Sequence, residues 1–136
     1  MSLDRRDVLK LAALALAATA TGAQAQAAPA DTARPQRAAR PLDLLILGGT
    51  GLTGPHQVRY ALARGHRVTI FNRGRKQPEW PGDVQQLLGD RDTNDYASIK
   101  AEVAKGRRWD AVIDNPSSVP VWIRDAAKVL KGRVGS

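Results

Sequence analysis

The stretch Leu44-Leu45-Ile46-Leu47-Gly48-Gly49-Thr50-Gly51-Leu52-Thr53-Gly54 decides how this chain is read. Its opening apolar run lacks polar alternation, which is the pattern of a strand covered on both faces. The run ends in Gly48, Gly51 and Gly54, spaced by three, and a helical pattern follows. Strand, glycine turn and helix in that order make a cradle for a pyrophosphate. Glycine lets the backbone approach the phosphates, and a helix N-terminus turns free N–H groups toward them. The G-x-x-G-x-x-G spacing alone would also suit a turn that merely packs closely. Its flanks, and a polar residue closing the next strand about twenty positions on, favour a dinucleotide. No Gly-Lys-Ser/Thr ending follows, which disfavours a nucleoside-triphosphate loop.

Working outward, Leu42 to Leu47 reads as the first strand and Leu52 to Arg64 as a helix. Pro55 falls in its first turn, where the missing N–H costs nothing. Val58, Ala61 and Leu62 supply its apolar stripe, and Gly65 ends it. His66 to Asn72, β-branched at its centre, is a second strand, and a strand–helix–strand unit of this length pairs its strands in parallel. After a polar loop from Arg73 to Gly82, Val84 to Leu88 is a third strand and Tyr96 to Lys105 a helix. Trp109 to Asp114 is a fourth strand and Pro120 to Leu130 a last helix, with Trp122, Ile123, Ala126, Ala127 and Leu130 as candidate core. The expected fold is α/β, a Rossmann-type doubly wound parallel sheet truncated after about four strands, with the cofactor crevice between the first and fourth.

The end of the second strand bears on which dinucleotide is bound. A carboxylate there would accept from a free ribose 2′-OH and repel a 2′-phosphate. Position 72 is Asn, followed by Arg73, Arg75 and Lys76. That arrangement favours NADP over NAD, because arginine forks onto a phosphate. The competing reading is a solvated basic loop.

Composition sets the outer limits. The chain has 136 residues, room for one domain, and a net charge of +8. It has no cysteine, which excludes disulfides and thiolate metal sites. His56 and His66 fall on separate elements and are not expected to form a metal site. The dense basic clusters, Arg73-Gly74-Arg75-Lys76 and Lys105-Gly106-Arg107-Arg108, lack the interleaved aromatic residues of a stacking platform. Nucleic acid is therefore not the expected partner, although a basic balance raises that possibility.

Ahead of the globular part, Asp4-Arg5-Arg6-Asp7-Val8-Leu9-Lys10 precedes an apolar run from Leu11 to Ala20 and the small-x-small sites Ala23-Gln24-Ala25 and Ala25-Gln26-Ala27. These are the parts of a cleavable export signal over residues 1–27. The paired arginines resemble the twin-arginine type, with Asp4 and Val8 departing from its usual residues. A membrane span is the alternative, but the segment is diluted by Thr, Gly, Gln and Pro, so no stable span is expected. Residues 28–41, with Pro29, Pro35 and Pro41, read as linker, and residues 42–136 as the domain. The expected location is periplasmic or exported.

Taken together, Leu45 to Gly54, Phe71-Asn72-Arg73-Gly74, Gly89-Asp90-Arg91 and Trp109 to Asp114 resemble the N-terminal half of an NAD-dependent epimerase/dehydratase, an extended short-chain dehydrogenase/reductase. The resemblance spans Leu42 to Val134. It implies a Rossmann fold, bound NAD or NADP, and redox chemistry on a nucleotide sugar or similar hydroxyl-bearing substrate. It also implies Gly48, Gly51 and Gly54 along the pyrophosphate, with Leu52 in the turn and Thr53 near the phosphates. Asn72 and Arg73 would face the adenosine ribose, and Asp90 and Arg91 would lie beside adenine, Asp90 accepting from its exocyclic amine. Asn115, Pro116 and Ser117 would lie near the nicotinamide ribose.

Members of that family continue into a fifth strand and a Tyr-x-x-x-Lys helix whose tyrosine moves the proton. The sequence ends at Ser136, where that strand is due, so a truncated form without its catalytic residues is expected. Tyr96-Ala97-Ser98-Ile99-Lys100 has the spacing but follows the third strand, which puts it on the adenine side; Tyr60 is followed by Arg64. No catalytic residue is therefore assigned. Two further readings stay open: a nucleotide-binding module completed by a self or partner chain at the exposed sheet edge, and a basic exported protein that binds polyanions.

Overall fold

A computed structural model describes residues 34–115 and 118–135. The expected export signal, the linker through Ala33, and Pro116 and Ser117 lie outside the described residues. In chain order the elements are β1 (Asp43–Leu47), α1 (Gly54–Ala63), β2 (Arg67–Asn72), β3 (Val84–Leu88), α2 (Ala97–Ala104), β4 (Ala111–Asp114) and α3 (Pro120–Leu130). Among the described residues no helix is long and apolar enough to cross a membrane.

The strands form one parallel sheet in the order β3-β2-β1-β4, the expected truncated Rossmann-type arrangement. β1 is interior: Leu44 stands between Val68 and Ala111, and Leu47 between Phe71 and Asp114. That register ends β1, β2 and β4 at a common rim, where Gly48, Asn72 and Asn115 emerge.

Because strand side chains alternate between faces, β1 feeds two cores. Leu44 and Ile46 pack with Val68, Ile70 and the α1 residues Val58 and Ala61. Leu45 and Leu47 pack on the other face with Phe71, Leu87, Tyr96, Ile99, Trp109, Ala126 and Leu130, from the side of α2 and α3. Double coverage is why the run from Leu44 to Leu47 carries no polar residue. Of the residues expected to bury from α3, Ala126 and Leu130 do so, whereas Ile123 and Ala127 are exposed and Trp122 lies half-buried at the rim.

Two boundaries differ from expectation by two residues. The first helix begins at Gly54 rather than Leu52, because the chain spends Gly48 to Thr53 in the turn. The fourth strand begins at Ala111 rather than Trp109. Asp110 N–H donates to Asp43 at 2.8 Å, on the β1 side, whereas Trp109 N–H turns the other way and donates to Arg133 at 2.9 Å. Gly135 N–H returns to the Trp109 carbonyl at 3.0 Å, so Trp109 and Val134 form a parallel bridge. The foot of the β4 edge is thus covered by residues 133–135.

Asp43 organises the rim away from the glycine turn. Arg67 donates to both its carboxylate oxygens at 2.8 Å, and Arg107 stands 3.6 Å away. Asp110 accepts from the Asp43 N–H at 2.7 Å and from Arg40 at 3.2 Å. The Arg67 hydrogen bonds, against the opposing effect of burial, hold the Asp43 carboxyl below its ordinary value of 3.8. A depressed folded-state value means stabilisation that is present above the unfolded value and lost as pH falls through the folded one. Asp43→Asn is therefore expected to lower the melting temperature by a few degrees at neutral pH. The gap from the parent chain should narrow as pH falls below the ordinary carboxylate range, as read by circular dichroism melts across pH.

Candidate functional site

The glycine turn is built by close approach. Gly48 N–H donates to Phe71 at 2.8 Å, and Asn115 N–H donates to Leu47 at 2.9 Å, so both ladders of β1 run to the rim. Gly48 has φ +79, and a Cβ there would collide with the Asn115 carbonyl. At Gly54 a Cβ would enter the backbone of Gly49, 2.7 Å from its Cα, and at Gly49 it would lie 2.7 Å from Ile70 Cγ2. Those positions are glycine because the fold leaves no room.

Gly51 is different. Its N–H closes the turn onto Gly48 at 3.2 Å, yet an added Cβ would meet only the Gly48 carbonyl at 3.6 Å, an ordinary contact. The fold does not require glycine here, and the bare backbone leaves space for a ligand. Behind it α1 starts with no side-chain cap and no acidic residue in its first turn. Among the described residues the Leu52 and Thr53 amides donate to no backbone carbonyl. An uncapped N-terminus with its partial positive charge suits an anion.

Beside the turn is a cavity of about 480 Å³ lined by Gly48, Thr50, Gly51, Phe71, Asn72, Arg73, Arg75, Lys76, Gly89, Asp90, Arg91, Asp92, Asn115 and Trp122. It gathers seven of the residues expected from sequence: Gly48, Gly51, Asn72, Arg73, Asp90, Arg91 and Asn115. The other three stand apart from it. Leu52 is 94% exposed and lines an adjoining depression with Thr50, Pro55 and Lys76, while Thr53 stands at the N-cap position of α1 without a side-chain bond to it and Gly54 is its buried first residue.

The polar groups of the cavity differ in how far they are committed. Asn72 Oδ1 accepts from Gly74 N–H at 2.8 Å and Gln86 Nε2 at 2.9 Å, while its buried Nδ2 has no partner. That leaves a donor available to a ligand oxygen. Asp90 Oδ1 accepts from Asp92 N–H at 2.9 Å, so part of the carboxylate is spent folding its own loop. Asn115 and Gln57 of α1 pair amide to amide in both directions.

Arg91 is the most constrained. It donates to the two oxygens of Asp114 at 2.5 and 2.8 Å, lies 4.9 Å from the centre of the Trp122 ring, and is 9% exposed. Burial opposes its charge. The Asp114 carboxylate overrides that, with the Tyr96 hydroxyl adding to it, and holds the guanidinium above its ordinary value. Arg91 lines the cavity, but its two Nη donors are turned to Asp114 at the end of β4.

Neither tyrosine supplies a hydroxyl to the cavity. Tyr96 is 1% exposed, its ring 5.5 Å from Phe71 and nearly parallel, with its hydroxyl donating to Trp122 O at 3.3 Å. Tyr60 lies on α1, half exposed beneath Arg64. The Tyr96-to-Lys100 spacing is thus a helix start with a buried aromatic residue. Sequence reasoning assigned no site role to Trp122, Asp92, Gln57 or Gly49. Trp122 falls on a helical apolar stripe and reads as core, and Asp92 follows a motif that draws attention to its neighbours. Gly49 alone carried a signal, as the fourth glycine of the turn.

The family model described as the NAD dependent epimerase/dehydratase family matches residues 44–135. No curated protein matches the chain. A solved structure of a protein described as exported, from Burkholderia pseudomallei, is 28% identical with a TM-score of 0.46, over 68% of this chain and 46% of that one. The chain spans less than half the length of that protein.

The contrast between the glycines is testable. Gly48→Ala, which forces a side chain into a positive-φ position against backbone, is expected to destabilise the chain by more than about 1 kcal/mol. Gly51→Ala is expected to leave stability within about 0.5 kcal/mol while weakening dinucleotide binding. Urea unfolding and ligand titration of both variants check this.

Proposed function

The chain belongs to the NAD dependent epimerase/dehydratase family, and on that premise we propose that it lays a dinucleotide's pyrophosphate over Gly51 and prefers NADP to NAD. Membership implies a nicotinamide dinucleotide and a nucleotide-binding Rossmann-type module; the pose and the preference are our reading. The observation that carries the pose is the unneeded glycine at Gly51 before an uncapped helix. In the same pose Asn72 Nδ2 donates to the adenosine ribose, and Arg73, Arg75 and Lys76 gather around a 2′-phosphate. All four residues line one cavity. Asp90 keeps its second oxygen for the adenine amine, and Asn115, oriented by Gln57, faces the nicotinamide ribose.

A bound nicotinamide supplies hydride transfer. The residues lining the cavity bind and orient it, and both described tyrosine hydroxyls lie outside the cavity.

A second reading is favoured by the β4 edge. Ala111, Val112 and Ile113 are half-buried, whereas the β1 residues beside them are buried. Above the Trp109–Val134 bridge this edge can pair with another strand, from a second copy or a partner chain. We also propose that residues 1–27 direct export through a twin-arginine-like signal, on the strength of Arg5-Arg6, the apolar run and the small-x-small sites.

Arg73→Ala is expected to weaken NADP binding about ten- to a hundredfold, the loss of a charge-assisted contact, and NAD binding less than about twofold. Calorimetric titration with both coenzymes reads this, and equal losses would contradict the assignment. For export, N-terminal sequencing of periplasmic material is expected to begin close after Ala25 or Ala27; material beginning at Met1 would contradict cleavage.

A further inference from the structure

Arg73 meets another charge in the cavity. Its Nη1 lies 3.7 Å from Asp92 Oδ2, with the two side chains 48% and 60% exposed. At that distance the pair is an ion pair without a formed hydrogen bond, and at that exposure it is weak enough to exchange. Both residues line the cavity in which the ribose end of the cofactor is placed.

The backbones on either side are fixed independently of the pair. Asn72, just before Arg73, is buried and pinned by Gly74 and Gln86. The loop carrying Asp92 is folded by Asp92 N–H to Asp90 Oδ1 at 2.9 Å, by Thr93 Oγ1 to Asp90 O at 3.3 Å, and by the Asp90–Asp95 bridge. None of these bonds uses the Asp92 carboxylate. It can be neutralised without unfolding the loop.

We infer that Asp92 tunes the discrimination between a 2′-phosphorylated and a plain adenosine ribose, by acting as the counter-ion that a phosphate must displace from Arg73. This rests on the reading in which Arg73 receives that phosphate. A phosphomonoester arriving at Arg73 exchanges with the carboxylate and then sits beside its negative charge. A ribose with a free 2′-hydroxyl requires no exchange, and the carboxylate can accept from it. Arg91 does not relieve the repulsion, because Asp114 already neutralises it. Asp92 therefore moderates an NADP preference that Arg73, Arg75 and Lys76 establish.

The test is a double-mutant cycle on the full chain: parent, Asp92→Asn, Arg73→Ala and the double variant, each titrated with NADP and with NAD. Asp92→Asn is expected to tighten NADP about three- to tenfold and to change NAD less than twofold. The gain should vanish in the Arg73→Ala background and shrink in about 0.5 M salt. If Asp92→Asn leaves NADP unchanged while Arg73→Ala weakens it, the Asp92 inference falls alone. If Asp92→Asn shifts both coenzymes equally, the residue is shaping the loop and the inference is overturned. If Arg73→Ala has no effect on NADP, the placement of the phosphate fails, and this inference with it.

Discussion

Gly48 lies so close to the Asn115 carbonyl that no side chain fits between them. Much of the rim follows from that contact. It requires β1 and β4 to run in parallel and to end level, which the pairing of Leu47 with Asp114 provides. It requires a residue free to take positive φ directly after the strand. With the strand ends so joined, the chain turns sharply through Gly51 and enters α1 against Gly49. The helix start is thereby aimed at the space above the sheet, where the order of the strands reverses.

Charge is used differently at the two rims. Around Asp43, exposed or half-exposed arginines tie the start of β1 to the start of β2 and to the loop before β4, and each contact is individually weak. At the cavity, Arg91 and Asp114 form a shielded bidentate pair that ties the loop after β3 to the end of β4. Removing one partner of such a pair leaves an uncompensated charge, which is costly, whereas the intact pair is not necessarily stabilising. Its effect is geometric: it holds Arg91 beside Trp122 in the lining of the cavity.

The fold was largely legible because its signals are periodic. The unbroken apolar run of β1 indicated a strand with two covered faces, and the order of elements indicated a parallel sheet. Boundaries were less legible where hydrogen bonding rather than side-chain pattern decides them. Trp109 has a strand-like neighbourhood, but its N–H faces away from β1 and is taken by Arg133. At the site, the glycines and the residues that close strands were visible from spacing. Which glycine the fold needs and which it does not depends on contacts between Gly48 and Asn115, or Gly49 and Ile70, far apart in sequence. For the same reason the hold of Asp114 on Arg91, 23 residues away, was not legible in the sequence.

The central claim is that the free amides of the turn receive a diphosphate. The direct measurement is a backbone amide NMR titration of the isotopically labelled chain with NADP, using inorganic pyrophosphate as the minimal probe. The expected result is downfield movement of the Leu52 and Thr53 amide resonances with both ligands, and movement around Asn72 to Lys76 with NADP alone. Saturable binding that leaves the Leu52 and Thr53 resonances in place would contradict it.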